Sequence, residues 1–236
     1  MNNNAEQNQN VLAAFDDPDH VARYAEGPPR FVPGLAGLHR MTGVLLAEKA
    51  PENAHVLVLG AGGGLELKAL AEAHPGWTFA GVDPSEEMLG LAEATLGPLA
   101  ARVRFHAGFI DDAPEGPFDA ATCLLTLHFL DAEERRKTLE EIRRRLKLGA
   151  PLVAAHCSFP QADEDARKTW LARYAAFAIA SGADIADVEK AREMVDAALH
   201  LFEPEVDAAI IKDAGFVNVA EFYAAFTWRG WAAYAP

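Results

Sequence analysis

Short apolar runs alternate with helical segments through the middle of the chain. Strands are predicted over His55–Leu59, Trp77–Val82, Val103–Ala107, Phe118–Leu125 and Pro151–Phe159. Between them lie helical stretches: Leu65–His74, ended by Pro75-Gly76, a helix capped by Ser85 and running to Leu96, and one capped by Asp131 and stopped at Gly149. Such alternation implies βαβ units, a parallel sheet and right-handed crossovers. From Ala162 to about Leu201 the pattern changes to two amphipathic helical stretches with no strand between them. After a helix over Glu203–Ala214, the runs Phe216–Tyr223 and Ala225–Ala233 follow with no room for a helix, so they must pair antiparallel.

The expected fold is α/β: a Rossmann-like, seven-stranded mixed sheet with helices on both faces and an antiparallel C-terminal hairpin. One domain is expected over residues 11–236, with N-terminal helices in 11–50 and a helical insertion over 161–201. In the N-terminal part, helices are predicted at Val11–Phe15, Asp19–Tyr24 and Leu35–Lys49, with a break at Pro28, Pro29 and Pro33. Residues 1–10 are polar and Asn-rich, without the features of a signal peptide, and read as a disordered tail.

Composition narrows the function. The net charge is −14, against the basic footprint a nucleic-acid binder needs. The dense basic stretch (Arg135, Arg136, Lys137, Arg143, Arg144, Arg145 and Lys147) is interleaved with Glu133, Glu134, Glu140 and Glu141. This spacing predicts a solvated, ion-paired helix face. A small-molecule substrate is therefore expected, with no direct nucleic-acid partner. No apolar run reaches the roughly 20 residues of a membrane helix. Cys123 and Cys157 sit in apolar runs and are expected to be reduced core residues of a cytoplasmic protein. No His/Cys cluster suggests a metal.

The strongest chemical signal is Val56-Leu57-Val58-Leu59-Gly60-Ala61-Gly62-Gly63-Gly64 followed by a helix. Glycines allow the tight turn and let a ligand approach the backbone, while the helix start offers free N–H groups. Asp83 ends the next strand, where a carboxylate can accept both hydroxyls of a ribose. The pattern is GxGxG, because Leu65 stands where the dinucleotide fingerprint has its last glycine.

With the stretches GVDPSEEML, LLTLHFL and LEEIRRRLKLGAPLVAAH, the chain resembles the class I S-adenosylmethionine-dependent methyltransferases. The resemblance covers roughly residues 30–160 and 203–235. It implies S-adenosylmethionine as cofactor, with Gly60, Ala61, Gly62 and Gly64 along its methionine and ribose parts. It further implies Asp83 on the ribose, Pro84 and Met88 against the adenine, Phe109 and Ile110 at the adenine edge, and the Leu124 carbonyl near the amino group. Two departures stand out: the family usually has an acid at the position of Val58 and often one at that of Phe109. Asp111, Asp112 and Glu66 are the acids that could compensate.

Three regions can reach an acceptor: the N-terminal helices, the loop after the fourth strand and the insertion. His128 is the candidate catalytic base, with His156 behind it. Tyr24, His39, Trp170 and Arg192 are candidate substrate residues, with Arg40 as an alternative to His39 for the methionine carboxylate. Tyr174 and Phe177, at helical spacing from Trp170, are expected in the core of the insertion.

Val32-Pro33-Gly34, Met41, Gly43, Thr126-Leu127, Phe129-Leu130 and Lys190-Ala191-Arg192-Glu193-Met194 also resemble the carboxy-S-adenosylmethionine synthases. There an arginine aligning with Arg192 grips the added carboxylate, but that family carries an amide side chain at the position of Leu124 and a glutamine at that of His128. Three readings follow: a small-molecule methyltransferase, a cofactor-modifying synthase, or a non-enzymatic cofactor-binding protein. The hairpin and insertion could present a homodimer face or be internal core.

Overall fold

The computed structural model describes residues 26–236. Two helices come first: α1 Gly27–Phe31 and α2 Leu35–Ala47. Then follow β1 His55–Leu59, α3 Leu65–Ala73, β2 Thr78–Asp83, α4 Glu86–Leu96, β3 Val103–Ala107, β4 Ala120–Leu124, α5 Ala132–Arg144 and β5 Pro151–Cys157. The chain continues through α6 Glu164–Ala180, α7 Ile185–Ala198, α8 Pro204–Asp213, β6 Val217–Ala225 and β7 Trp228–Tyr234.

The seven strands lie in the order β3-β2-β1-β4-β5-β7-β6. The first five are parallel; β7 pairs antiparallel with both β5 and β6. The order reverses at β1, whose two neighbours are β2 and β4, so a crevice opens at the strands' carboxyl ends there.

Alternation along β1 shows why the sheet is apolar on both faces. Val56 and Val58 pack into one layer with Leu67 and Leu70 of α3 and Leu38 and Leu46 of α2. Leu57 and Leu59 pack into the other with Leu139 and Ile142 of α5 and Ile210 and Ile211 of α8. Cys123 and Cys157 are free and buried.

Two expectations need correction. Pro28 and Pro29 do not break the N-terminal segment; they occupy the first turn of α1, where proline's missing N–H is no loss. The expected N-terminal helices before residue 26 and the tail lie outside the described residues. The basic face of α5 is only partly solvated. Arg136 and Arg144 form exposed pairs with Glu133 and Glu115, but Arg135 and Arg145 are 1% exposed. Arg135 crosses to α8, where it binds Asp207, and donates to the carbonyls of Leu130 (3.2 Å) and His200 (2.8 Å). His156 joins this cluster, its Nε2 3.2 Å from Asp207.

Candidate active site

The end of β1 runs into a turn that only glycine can make. Gly60, Gly62 and Gly64 all have positive φ. A side chain on Gly60 would collide with the Thr126 hydroxyl, and one on Gly64 would meet the Ala92 backbone of α4 at 2.8 Å. Gly60 thus lets the β1 turn close on the segment after β4, and Gly64 lets α3 pack against α4.

Asp83, at the end of β2, reaches across to this turn. Its Oδ2 accepts the Gly62 N–H at 2.8 Å and its Oδ1 the Ser85 N–H at 3.1 Å. The carboxylate is thereby oriented toward the crevice. Ser85 caps α4 by accepting the Met88 N–H. At the β4 end, Leu125 takes a left-handed conformation (φ 59°) that costs a non-glycine residue energy. The Thr126 hydroxyl then folds back to the Leu124 carbonyl at 3.0 Å.

These elements line one cavity of about 1000 Å³, the upper end of ordinary ligand pockets. All ten residues expected to hold the cofactor line it: Gly60, Ala61, Gly62, Gly64, Asp83, Pro84, Met88, Phe109, Ile110 and Leu124. Phe109 is 54% exposed, at the mouth. Asp112 is committed to the Phe109 N–H (2.9 Å), while Asp111 lies on the rim.

The residues proposed for the acceptor divide. His39 and His128 line the cavity. Burial lowers His39 to about 4, so it is neutral at pH 7. Trp170 lies outside, stacked under Arg173 at 4.4 Å. Arg192 also lies outside and pairs with Glu189 at 2.9 Å. Its neighbours Asp187, Lys190, Ala191 and Met194 line the cavity instead. Arg40 is exposed and His156 is enclosed in the Arg135–Asp207 cluster, both away from the cavity. Tyr24 falls outside the described residues.

The far wall comes from residues to which the sequence gave no role in the site: Phe31 and Val32 at the end of α1, Tyr174 of α6 and Trp228 of β7. Trp228 Nε1 donates to the Phe31 carbonyl at 3.0 Å, and the Tyr223 hydroxyl to that of Pro33 at 2.5 Å. No local signal marks them, because their partners are about two hundred residues away in sequence.

His128 sits in a one-turn 3-10 segment, Leu127–Phe129. Its Nδ1 accepts the Cys157 N–H at 3.1 Å. This bond assigns the ring proton to Nε2. Burial first, then the positive charge of its buried surroundings, holds its pKa well below the ordinary value. His128 is therefore a neutral hydrogen-bond donor at Nε2, and the expectation of a general base needs correction. Accepting a proton would require the Nδ1 lone pair already given to Cys157.

Residues 56–149 match the family described as methyltransferase domain. Over 213 residues the chain is 29% identical to the carboxy-S-adenosyl-L-methionine synthase of Chromohalobacter salexigens, covering 88% of this chain and 78% of that protein. Its fold is similar to magnesium protoporphyrin IX methyltransferase from Synechocystis with bound SAH (TM-score 0.68, 16% identity, 97% of this chain and 99% of that one). It is also similar to human N-acetylserotonin methyltransferase in complex with SAM (TM-score 0.62, 15% identity), where 95% of this chain spans 58% of the longer human one. Among the described residues no helix is long and apolar enough to cross a membrane, and no group of His, Cys, Asp and Glu is placed to hold a metal. The glycine turn, the strand-end aspartate and the sheet order thus accompany a methyltransferase-domain match over residues 56–149, and together they support a class I S-adenosylmethionine-dependent methyltransferase.

Proposed function

We infer that the enzyme transfers the methyl group of S-adenosylmethionine to a small-molecule acceptor held between α1, the loop after β4 and the insertion helices α6 and α7. One observation carries this reading: a single cavity joins the glycine turn and Asp83 to a second wall of Phe31, Tyr174, Met194 and Trp228. That wall is apolar and aromatic, suited to an organic acceptor of low polarity. The net charge of −14 disfavours a polyanionic one.

The residues present fit the cofactor. Asp83 is oriented for two ribose hydroxyls, Met88 and Pro84 for a flat base, and the start of α3 for the methionine end. When bound, the cofactor supplies a methyl already activated on a sulfonium sulfur. The protein's work is then positioning and exclusion of water. His128 orients the acceptor by donating from Nε2, which suits an oxygen or nitrogen lone pair. We place this chemistry in the cytoplasm, in keeping with two reduced cysteines, and the exposed side of the hairpin is open to a second copy.

The likeness to carboxy-S-adenosylmethionine synthases favours a second reading, in which the cofactor itself is modified. The position of Arg192 outside the cavity weighs against a carboxylate grip by that residue within one chain. Mass spectrometry of the small molecules co-purified with the enzyme separates the two: plain cofactor supports methyl transfer, a carboxylated one the synthase. For the cofactor site, Asp83→Ala should weaken S-adenosylhomocysteine binding by about 2 kcal/mol, roughly 30-fold. Unchanged affinity by calorimetry would refute the ribose assignment.

A further inference from the structure

Glu66 is the second residue of α3 and lines the cavity beside the glycine turn. It is 6% exposed, and its Oε1 is buried with no hydrogen-bond partner. The Thr122 hydroxyl of β4 lies alongside and favours the ionised carboxyl. No cation pairs with Glu66 among the described residues. Enclosing a carboxyl this way costs several kcal/mol unless something compensates.

The strand register locates the carboxyl. Val58 of β1 is the Cα partner of Thr122 of β4, and both side chains face α3. Glu66 therefore brings a carboxyl over the strand-end position that Val58 leaves apolar. The other acceptors in this part of the wall are engaged. The Leu124 carbonyl takes the Thr126 hydroxyl, and Asp83 orients both oxygens on backbone N–H groups at the ribose side. Toward the mouth, Glu134 accepts from the Asp131 N–H and Glu141 from Arg144 and Arg145. The remaining titratable groups nearby, His39 and Cys123, are both held neutral by burial.

We propose that Glu66 is the counter-carboxylate for the ammonium group of bound S-adenosylmethionine, delivered from helix α3 instead of strand β1. This rests on the cofactor reading above. Glu66 is a binding residue: it touches the amino-acid end of the ligand and takes no part in breaking the carbon–sulfur bond.

A proton balance follows. Without ligand, burial pushes Glu66 up to about 8, so it is protonated at neutral pH. When an ammonium group docks, the carboxyl ionises and its proton passes to solvent. The charge pair then replaces the neutral acid.

The test is calorimetry of the full-length enzyme with S-adenosylhomocysteine at pH 6.5, in buffers of different ionisation enthalpy. About one proton should be released per ligand bound. The analogue lacking the α-amino group should bind with no release. Glu66→Gln should abolish the release and weaken S-adenosylhomocysteine tenfold or more, while changing the affinity of the deaminated analogue less than twofold. Wild-type binding without proton release would overturn the proposal without any variant having to fold. So would equal weakening of both ligands by Glu66→Gln. Failure of the wild type to bind S-adenosylhomocysteine would instead overturn the cofactor reading, and this inference with it.

Discussion

Two buried carboxyls lie on opposite faces of the same sheet and meet opposite fates. Asp207 of α8 is 1% exposed and clasped by Arg135 and His156. Glu66 of α3 is nearly as buried and has no charged partner. Burial alone would raise Asp207, but His156 and Arg135 overcome it and hold its carboxyl below the usual range. Glu66 has no such counterweight and moves the other way. A charge that meets its partner inside the chain holds elements together. A carboxyl left without one is costly to the empty fold and is kept for a ligand.

The largest test of this contrast is Arg135→Ala. It strands Asp207 and should destabilise the fold by about 3–5 kcal/mol, read as a lowered urea midpoint with an unchanged slope. A loss below 1 kcal/mol would remove Arg135 from the architecture. Glu66→Gln should act in the opposite sense. Its folded-state value of about 8 lies above the ordinary 4.5, so between those values the folded chain holds a proton that the unfolded chain has lost. Stability therefore falls as pH rises from about 4.5 through 8. Glutamine removes that slope while leaving a buried amide, so the net gain should be about 2 kcal/mol at pH 8 and none at pH 5. Destabilisation at both pH values would break the comparison.

His128→Ala comes next. It should lower kcat about tenfold, the worth of one hydrogen bond, with little change in cofactor affinity. Because the ring is neutral throughout, the wild-type rate should show no rise through pH 6.5. A rise that vanishes in the variant would restore the base. Arg192→Ala should be the smallest, within about 0.5 kcal/mol for stability, as for any exposed ion pair. A tenfold loss of turnover would return Arg192 to the site.

The sheet and the glycine-turn wall of the cavity were legible because they are local. A strand, a glycine turn, a helix and the acid ending the next strand lie within residues 56–83, and each position is constrained by backbone geometry. Arg135 was not legible. Its spacing with glutamates matches a solvated face, and its burial depends on Asp207, 72 residues later. Arg192 failed for a simpler reason. Lys190, Ala191 and Met194 share the cavity face of α7 at helical spacing, and Arg192, two positions from Lys190, is carried to the far side. The rotation of a helix about its axis is fixed by what packs on it, and no motif in α7 announces that.

The ties from Tyr223 to Pro33 and from Trp228 to Phe31 span 190 and 197 residues. They join the end of α1 and the turn after it to β6 and β7. On the ribosome, the glycine turn and Asp83 emerge early and can fold with their neighbours, but the acceptor wall has no hydrogen-bonded frame until β7 has left the exit tunnel. A nascent or C-terminally clipped chain would therefore carry a cofactor cleft without its acceptor chamber. The chamber beside the glycine turn is framed only once β7 has joined the sheet.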